Sequence, residues 1–316
     1  MVGEENIHLN TLRTAFLLQV HKNPEQVNAF IEQLISENHA DVYVHIDKKN
    51  NDQLCGEIVQ NDRIHILQNN ISCDWGDISQ IDTTILLLKE VLSTKRTYDF
   101  IILRSGQDLL VKNGFKEFLS EHKGTIFMTF YEKTKKNLAS MKVNWPKITR
   151  RRYTTFHPYR LYRRSVRLLY EMGINMYPNM KPWPEKFTFY HGSQWFCIPF
   201  EVAKYIIEFL ETNEWYYEYF KNTLVPDEWF FQTLIMNSHF KHQVVNDNLM
   251  FLKWGETFRT GNSPLNISFK DIKLIQESNS YFARKFDGTF DQSVIEYFTK
   301  SVHFGRENKR EHKQIQ

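Results

Sequence analysis

Residues 98–108 read YDFIILRSGQD, an apolar run of strand length that stops at the turn Ser105-Gly106 and ends on Asp108. The run at 13–20 (RTAFLLQV) has the same character and stops at His21, and Val42, Val44 and Ile46 alternate up to Asp47. A shorter strand is expected near Arg63–Leu67. Helical patterns separate these runs. Asn23-Pro24 opens one, with Val27, Phe30, Ile31 and Leu34 on a face; Ile81, Ile85, Leu88 and Leu92 mark another from about Ser79. Strands alternating with helices imply an α/β fold with a mostly parallel sheet covered on both faces. Ligands of such sheets sit outside the carboxyl ends of the strands. His21, Asp47 and the Ser105–Asp108 turn are therefore expected to face one crevice.

The rest of the 316 residues fits a globular chain long enough to bury a large core, with 41% hydrophobic and 24% charged residues. Aromatic residues reach 15%, a bias that sugar-binding surfaces share with Phe-rich cores. A net charge of +3 is too small to argue for a nucleic-acid partner. Cys55, Cys73 and Cys197 form no CxxC pair, which speaks against a structural zinc or a disulfide framework and for a reducing compartment. The opening MVGEENIHLN is polar and acidic rather than a signal peptide, and no apolar run approaches the ~20 residues of a membrane span. Expected, then, are one domain over 1–304, with a basic aromatic insertion at about 133–185, and a frayed polar tail over 305–316.

That insertion includes ITRRRYTTFHPYRLYRRSVRLLY at 148–170. Tyr159, Tyr162, Val166 and Leu169 suit one helix face, with Arg160, Arg163, Arg164 and Arg167 beside or opposite them. Three readings stay open: a solvated helix over the core, a surface for anionic lipid or a lipid-phosphate-linked acceptor, and nucleic acid, which no recognised motif accompanies.

Three clusters carry candidate chemistry. Pro226-Asp227-Glu228-Trp229 reads as a helix start with Asp227 and Glu228 in the first turn, where a carboxylate stays ionised and can act as a general base. First-turn acids are also common simply because they stabilise helices. Phe282-Ala283-Arg284-Lys285-Phe286-Asp287 sets two cations between aromatic residues, suited to a diphosphate or to an ordinary basic surface. His191-Gly192-Ser193-Gln194-Trp195 offers either close ligand approach with Trp195 as a stacking plane, or a tight turn into a buried strand. Phosphate-loop, GxGxxG, GxSxG and HExxH patterns are absent from the sequence. Where a metal-binding Asp-x-Asp would close the fourth strand, the chain has Ser-Gly-Gln-Asp, with Asp108 as its one carboxylate.

Taken in order, His21-Lys22, His45–Lys49, Trp75-Gly76, Ser105–Asp108, Gly192–Trp195, Pro226–Glu228, Lys253-Trp254 and Phe282–Asp287 resemble the core-2/I-branching β-1,6-N-acetylglucosaminyltransferase family, which also includes peptide xylosyltransferases. The resemblance spans about 14–288. It implies a GT-A fold, a UDP-sugar donor used as substrate, inversion at the anomeric carbon, and neither metal nor cofactor. It makes Glu228 the catalytic base. His21, Asp47, Trp75, Ser105, Asp108, Arg284 and Lys285, with Arg259 out of register by a few positions, fall on the donor side. Trp195, Asp227 and Trp254 fall on the acceptor side. Without an anchor or many cysteines, the chain looks like a bacterial, cytoplasmic member, either free or peripheral at the inner face of the membrane through 147–170. Its acceptor is then expected to be a surface polysaccharide or a lipid-linked unit, with no nucleic-acid partner.

Overall fold

The computed structural model describes residues 12–36, 40–131, 133–255 and 264–306. The amino-terminal half alternates as the sequence predicts: β1 (Thr14–Val20), α1 (Pro24–Ile35), β2 (Ala40–Ile46), α2 (Asn51–Leu54), β3 (Ile64–Ile66), α3 (Ser79–Ser93) and β4 (Phe100–Ser105). All seven residues of β2 and all six of β4 are buried, so both faces of each strand are covered, and in β2 this takes in Asp41 and His45 as well as the apolar residues. Helix α3 packs on β1 and β2, and α1 packs on β2.

Next come β5 (Leu109–Leu110), α4 (Phe115–Glu121), β6 (Ile126–Tyr131), α5 (Lys135–Lys142), α6 (Pro158–Glu171) and β7 (His191–Pro199). The chain continues with α7 (Phe200–Thr212), α8 (Glu214–Phe220), α9 (Phe230–Met236), β8 (Val244–Val245), β9 (Met250–Leu252), α10 (Ile272–Glu277), β10 (Phe282–Arg284) and α11 (Gln292–Ser301). The central sheet has the order β3-β2-β1-β4-β7-β6-β8. β7 runs antiparallel to both its neighbours, and every other pairing is parallel. A smaller sheet, β5-β10-β9, lies beside it. This is the helix-flanked, mostly parallel α/β architecture expected from the sequence.

The expected insertion is the connection from β6 to β7. Part of it packs on the main core, through Met141 and Phe189 with Leu138, Trp183 and Phe187 against them. Ala139, Val143, Trp145 and Val166 form a second small core that also takes in Leu224 and Val225. The Trp145 indole donates to the Ala139 carbonyl at 3.1 Å, and the Leu224 amide donates to Ser140 O at 3.0 Å. Arg150 is buried and paired with Asp77 at 2.9 Å, so one of the three consecutive arginines is structural. Phe304, the last residue of the expected domain, is fully buried, and just beyond it Arg306 O accepts from the Gly114 amide at 3.0 Å. Residues 307–316, the remainder of the expected tail, lie outside the described residues.

Candidate active site

Strand β1 lies between β2 and β4, so its carboxyl end opens where the chain departs to either side, the position at which open α/β sheets bind ligands. His21 follows β1, Asp47 follows β2, and the Ser105–Asp108 turn ends β4. The Asp47 amide donates to Val20 O at 2.8 Å and its carboxylate accepts from the Lys49 amide at 3.0 Å. His21 is solvent-facing on one side. Desolvation first, then Lys22, Arg284 and Lys285, lower its imidazole pKa against the opposing pull of Asp47. The three strand ends thus meet at one place, together with the Arg284-Lys285 pair from the smaller sheet.

Within that meeting point the charges divide. Asp108 is fully buried, accepts from the Ser105 amide at 2.9 Å and the Ser105 hydroxyl at 3.1 Å, and forms an ion pair with Arg284, whose Nε lies 3.3 Å away. Ser105 is itself buried. Arg284 lies over the Trp195 ring at 4.4 Å, and Trp195 is only 8% exposed. Three expectations change as a result. Trp195 is not a free stacking plane, because the guanidinium covers it. Arg284 is not a spare cation, because Asp108 balances it. Asp108 and Ser105 hold the turn and β10 rather than facing outward. Lys285 is left with no ion-pair partner among the described residues. Its ammonium is pushed down to about 8, by burial first and then by Arg284, Arg152 and Lys22. Asp287 closes the cluster by accepting from Lys22 at 2.8 Å.

The acidic cluster departs from a simple helix start. Pro226–Glu228 is a single 3-10 turn, entered through Val225 at φ 55° and left through Trp229, and α9 begins only at Phe230. The left-handed Val225 is held by its amide donating to Gly76 O at 3.0 Å, which also sets Trp75 beside this loop. The two acids face different surroundings. Asp227 is buried with Oδ1 unpartnered, and burial followed by the charge of Glu228 pushes its carboxyl up to about 8. The Glu228 side chain is 43% exposed, and its Oε2 lies 3.1 Å from His191 Nε2. A carboxylate only accepts, so Nε2 carries the hydrogen in this contact. Asp227 is therefore a buried neighbour of the acid rather than a surface for an acceptor.

His191 was not among the residues singled out by sequence, although the HGSQW cluster contains it. This cluster is strand β7 itself, not a turn. A Cβ on Gly192 would lie 1.9 Å from Thr129 O, so the glycine admits β6 rather than a ligand. Of the remaining candidates, Trp254 follows β9 with 53% of its surface exposed, and Trp75 is 44% exposed. Register pairs Leu252 with Arg284, which brings Trp254 and Lys285 to the same end of the smaller sheet. Arg259 lies outside the described residues.

Trp75 also borders a cavity of about 670 Å³ lined by Arg152, Arg160, Arg163, Arg164 and Arg167. Arg152 is close enough to Lys285 to depress it, and Arg167 feels the charge of Glu228. Leu224 and Val225, which lead into the acidic turn, line the same space. Among the described residues no group of three His, Cys, Asp or Glu is placed to hold a metal ion. No described helix is long and apolar enough to cross a membrane.

A solvent-reached carboxylate, Glu228, and a lysine without an ion-pair partner among the described residues, Lys285, are thus each within electrostatic reach of an arginine that lines this cationic cavity, Arg167 for the first and Arg152 for the second. The core-2/I-branching enzyme model matches residues 14–276, and the chain belongs to that family of glycosyltransferases. It is similar to a xylosyltransferase, sqv-6, of Caenorhabditis briggsae, with 26% identity over 92% of this chain and 37% of that one. A xylosyltransferase of Ciona intestinalis is 23% identical over 92% of this chain and 34% of its own length. The chain thus spans about a third of the length of these relatives. Among solved structures, galactosyltransferase LgtC with donor and acceptor sugar analogs aligns over 92% of this chain and 86% of its own, at 9% identity and a TM-score of 0.33. The fold assignment rests on the sheet itself.

Proposed function

We propose that the chain is an inverting, metal-independent transferase that moves a sugar from a UDP-sugar to a hydroxyl of a glycan acceptor. The observation that carries this reading is an acid and a cation joined to one arginine-lined cavity: Glu228 is held by His191, open to solvent and felt by the lining Arg167, and Lys285 has no ion-pair partner among the described residues and is depressed by the lining Arg152. Glu228 takes the proton from the acceptor hydroxyl, whose oxygen attacks the anomeric carbon from the face opposite UDP. The bond to the diphosphate breaks as the new glycosidic bond forms, and Lys285 meets the charge that develops on the departing phosphate oxygens. His21 and Asp47 stand where the uridine would lie, at the ends of β1 and β2. The commitment of Asp108 to Ser105 and Arg284 supports a mechanism that neutralises the leaving group with lysine rather than a metal.

The proposed donor sugar is N-acetylglucosamine. Xylose is the second reading, and the names of the curated relatives favour it. The proposed acceptor is a bacterial surface polysaccharide or lipid-linked unit. Titrating UDP, UDP-N-acetylglucosamine and UDP-xylose into the protein, in EDTA and then in Mn²⁺, tests donor and metal together. The tighter UDP-sugar names the donor, and a strict need for Mn²⁺ sinks the metal-free mechanism. Replacing Glu228 with Gln should lower turnover about 10²–10⁴-fold with donor affinity retained. Full turnover by Glu228→Gln would reject it as the base. UDP-sugar binding without transfer to any glycan would favour a non-catalytic glycan-binding protein.

A further inference from the structure

The arginine-lined cavity is larger and more cationic than a donor diphosphate requires. Arg160, Arg163, Arg164 and Arg167 are spaced i, i+3, i+4 and i+7, which places them along one face of α6, and Arg152 adds a fifth guanidinium. No carboxylate lines the space among the described residues. The side-chain hydrogen bonds of Arg160 and Arg167 go to neutral oxygens, Tyr153 O at 3.1 Å and Ser140 Oγ at 3.0 Å. Arg163 lies 5.7 Å from the Trp75 ring and 5.8 Å from Tyr153, so aromatic faces hold its guanidinium in place. Like charges gathered on one face destabilise a helix, and a solvated surface has no reason to collect them around a hollow. Burial followed by Arg167, Arg160 and Arg164 pushes the Arg163 guanidinium down to about 10, a sign of repulsion that an anion would relieve.

Resting on the transferase reading, we propose that this cavity is the acceptor subsite and takes an acceptor bearing a phosphate or diphosphate ester. Phosphate oxygens engage the α6 guanidinium forks, and the attached sugar extends past Leu224 and Val225 toward Glu228. Several forked donors around one hollow match the many oxygens of a phosphate chain better than a single carboxylate. The volume, within the range of small-molecule sites, leaves room for the sugar as well. The ester has two sources, a soluble glycosyl phosphate or a lipid-linked glycosyl diphosphate. The exposed Leu161, Leu168 and Met172 beside the arginine face make the second worth a separate arm.

The experiment fills the donor site with UDP and then titrates inorganic pyrophosphate into the full chain by calorimetry. Pyrophosphate should bind the UDP-saturated protein. Arg160→Gln and Arg163→Lys should weaken it at least about tenfold, as expected for loss of a charge-assisted contact, while UDP affinity changes less than about twofold. Arg160 is half-buried, so its variant keeps the test open if the more deeply packed Arg163 variant fails to fold. Transfer is then compared for one sugar presented as a methyl glycoside, as a soluble glycosyl diphosphate, and as a polyprenyl diphosphate in vesicles. Preference for either phosphorylated form supports the subsite, and the better of the two names the source. Absence of pyrophosphate binding, or equal use of the methyl glycoside, overturns it. Parallel loss of UDP affinity in the arginine variants also overturns it, since the arginines would then serve the donor. UDP binding by the wild-type chain is read first, so failure of the transferase reading is separable from failure of this one.

Discussion

Raising the pH from 7 to 9 should weaken UDP binding about tenfold through a single group, Lys285. Its folded pKa of about 8 lies below the ordinary lysine value of 10.5, because burial and then Arg284, Arg152 and Lys22 disfavour the ammonium. The cation that a diphosphate needs is therefore present below pH 8 and lost as pH rises through it. If only the protonated form binds, affinity scales as the protonated fraction, roughly nine-tenths at pH 7 and one-tenth at pH 9. The ratio is about tenfold, or about 1.4 kcal/mol. Stability moves the other way, since the cost of burying the charge is relieved between about pH 8 and 10.5. Calorimetric titration of UDP at pH 7, 8 and 9 measures the effect. Lys285→Arg should flatten the profile, because a guanidinium keeps its charge throughout. A wild-type affinity that is level across this range, or a Lys285→Arg variant that keeps the alkaline fall, would refute the role of Lys285.

Three further expectations concern the acidic turn and its supports. His191→Phe keeps a ring against Trp229 and Tyr131 but removes the donor to Glu228; kcat should fall about tenfold with UDP affinity unchanged, and an unaltered kcat would detach His191 from the site. Asp227 has a raised carboxyl pKa, so its contribution to stability is lost as pH rises from 3.8 through about 8. Asp227→Asn has no such group, so its melting temperature should gain on wild type between pH 5 and 9, and parallel melting curves would show that burial does not perturb Asp227. Gly192→Ala drives a methyl into the Thr129 carbonyl and should cost at least about 1–3 kcal/mol, read as a lowered denaturation midpoint.

The sheet was legible because buried parallel strands are near-continuous apolar runs, and their polar ends marked the crevice without knowledge of its shape. Charge was harder to place. Arg284 and Lys285 are adjacent in sequence, yet β10 ends between them, and one is locked to Asp108 and Trp195 while the other has no ion-pair partner among the described residues. Arg150 and Arg152 split in the same way, the first buried against Asp77 and the second exposed at the cavity. The acidic turn looked like a helix start because Pro-Asp-Glu suits one, but the positive φ of Val225 and the break at Trp229 confine it to 3-10 geometry. The His191–Glu228 contact joins residues 37 apart, and only the packing of β7 against the turn brings them together.

The small core built from Ala139, Val143, Trp145, Val166, Leu224 and Val225 joins α5 and α6 to the segment that carries the acid. If α6 holds the acceptor as proposed, acceptor specificity on this scaffold is not a detachable module. Grafting a different insertion between β6 and β7 would take Arg152 from beside Lys285 and strand Leu224 and Val225 without partners, and the turn they lead into would lose its seat. An engineer seeking a new acceptor would have to transplant two stretches of chain, the insertion and the approach to Glu228, as one interlocking piece.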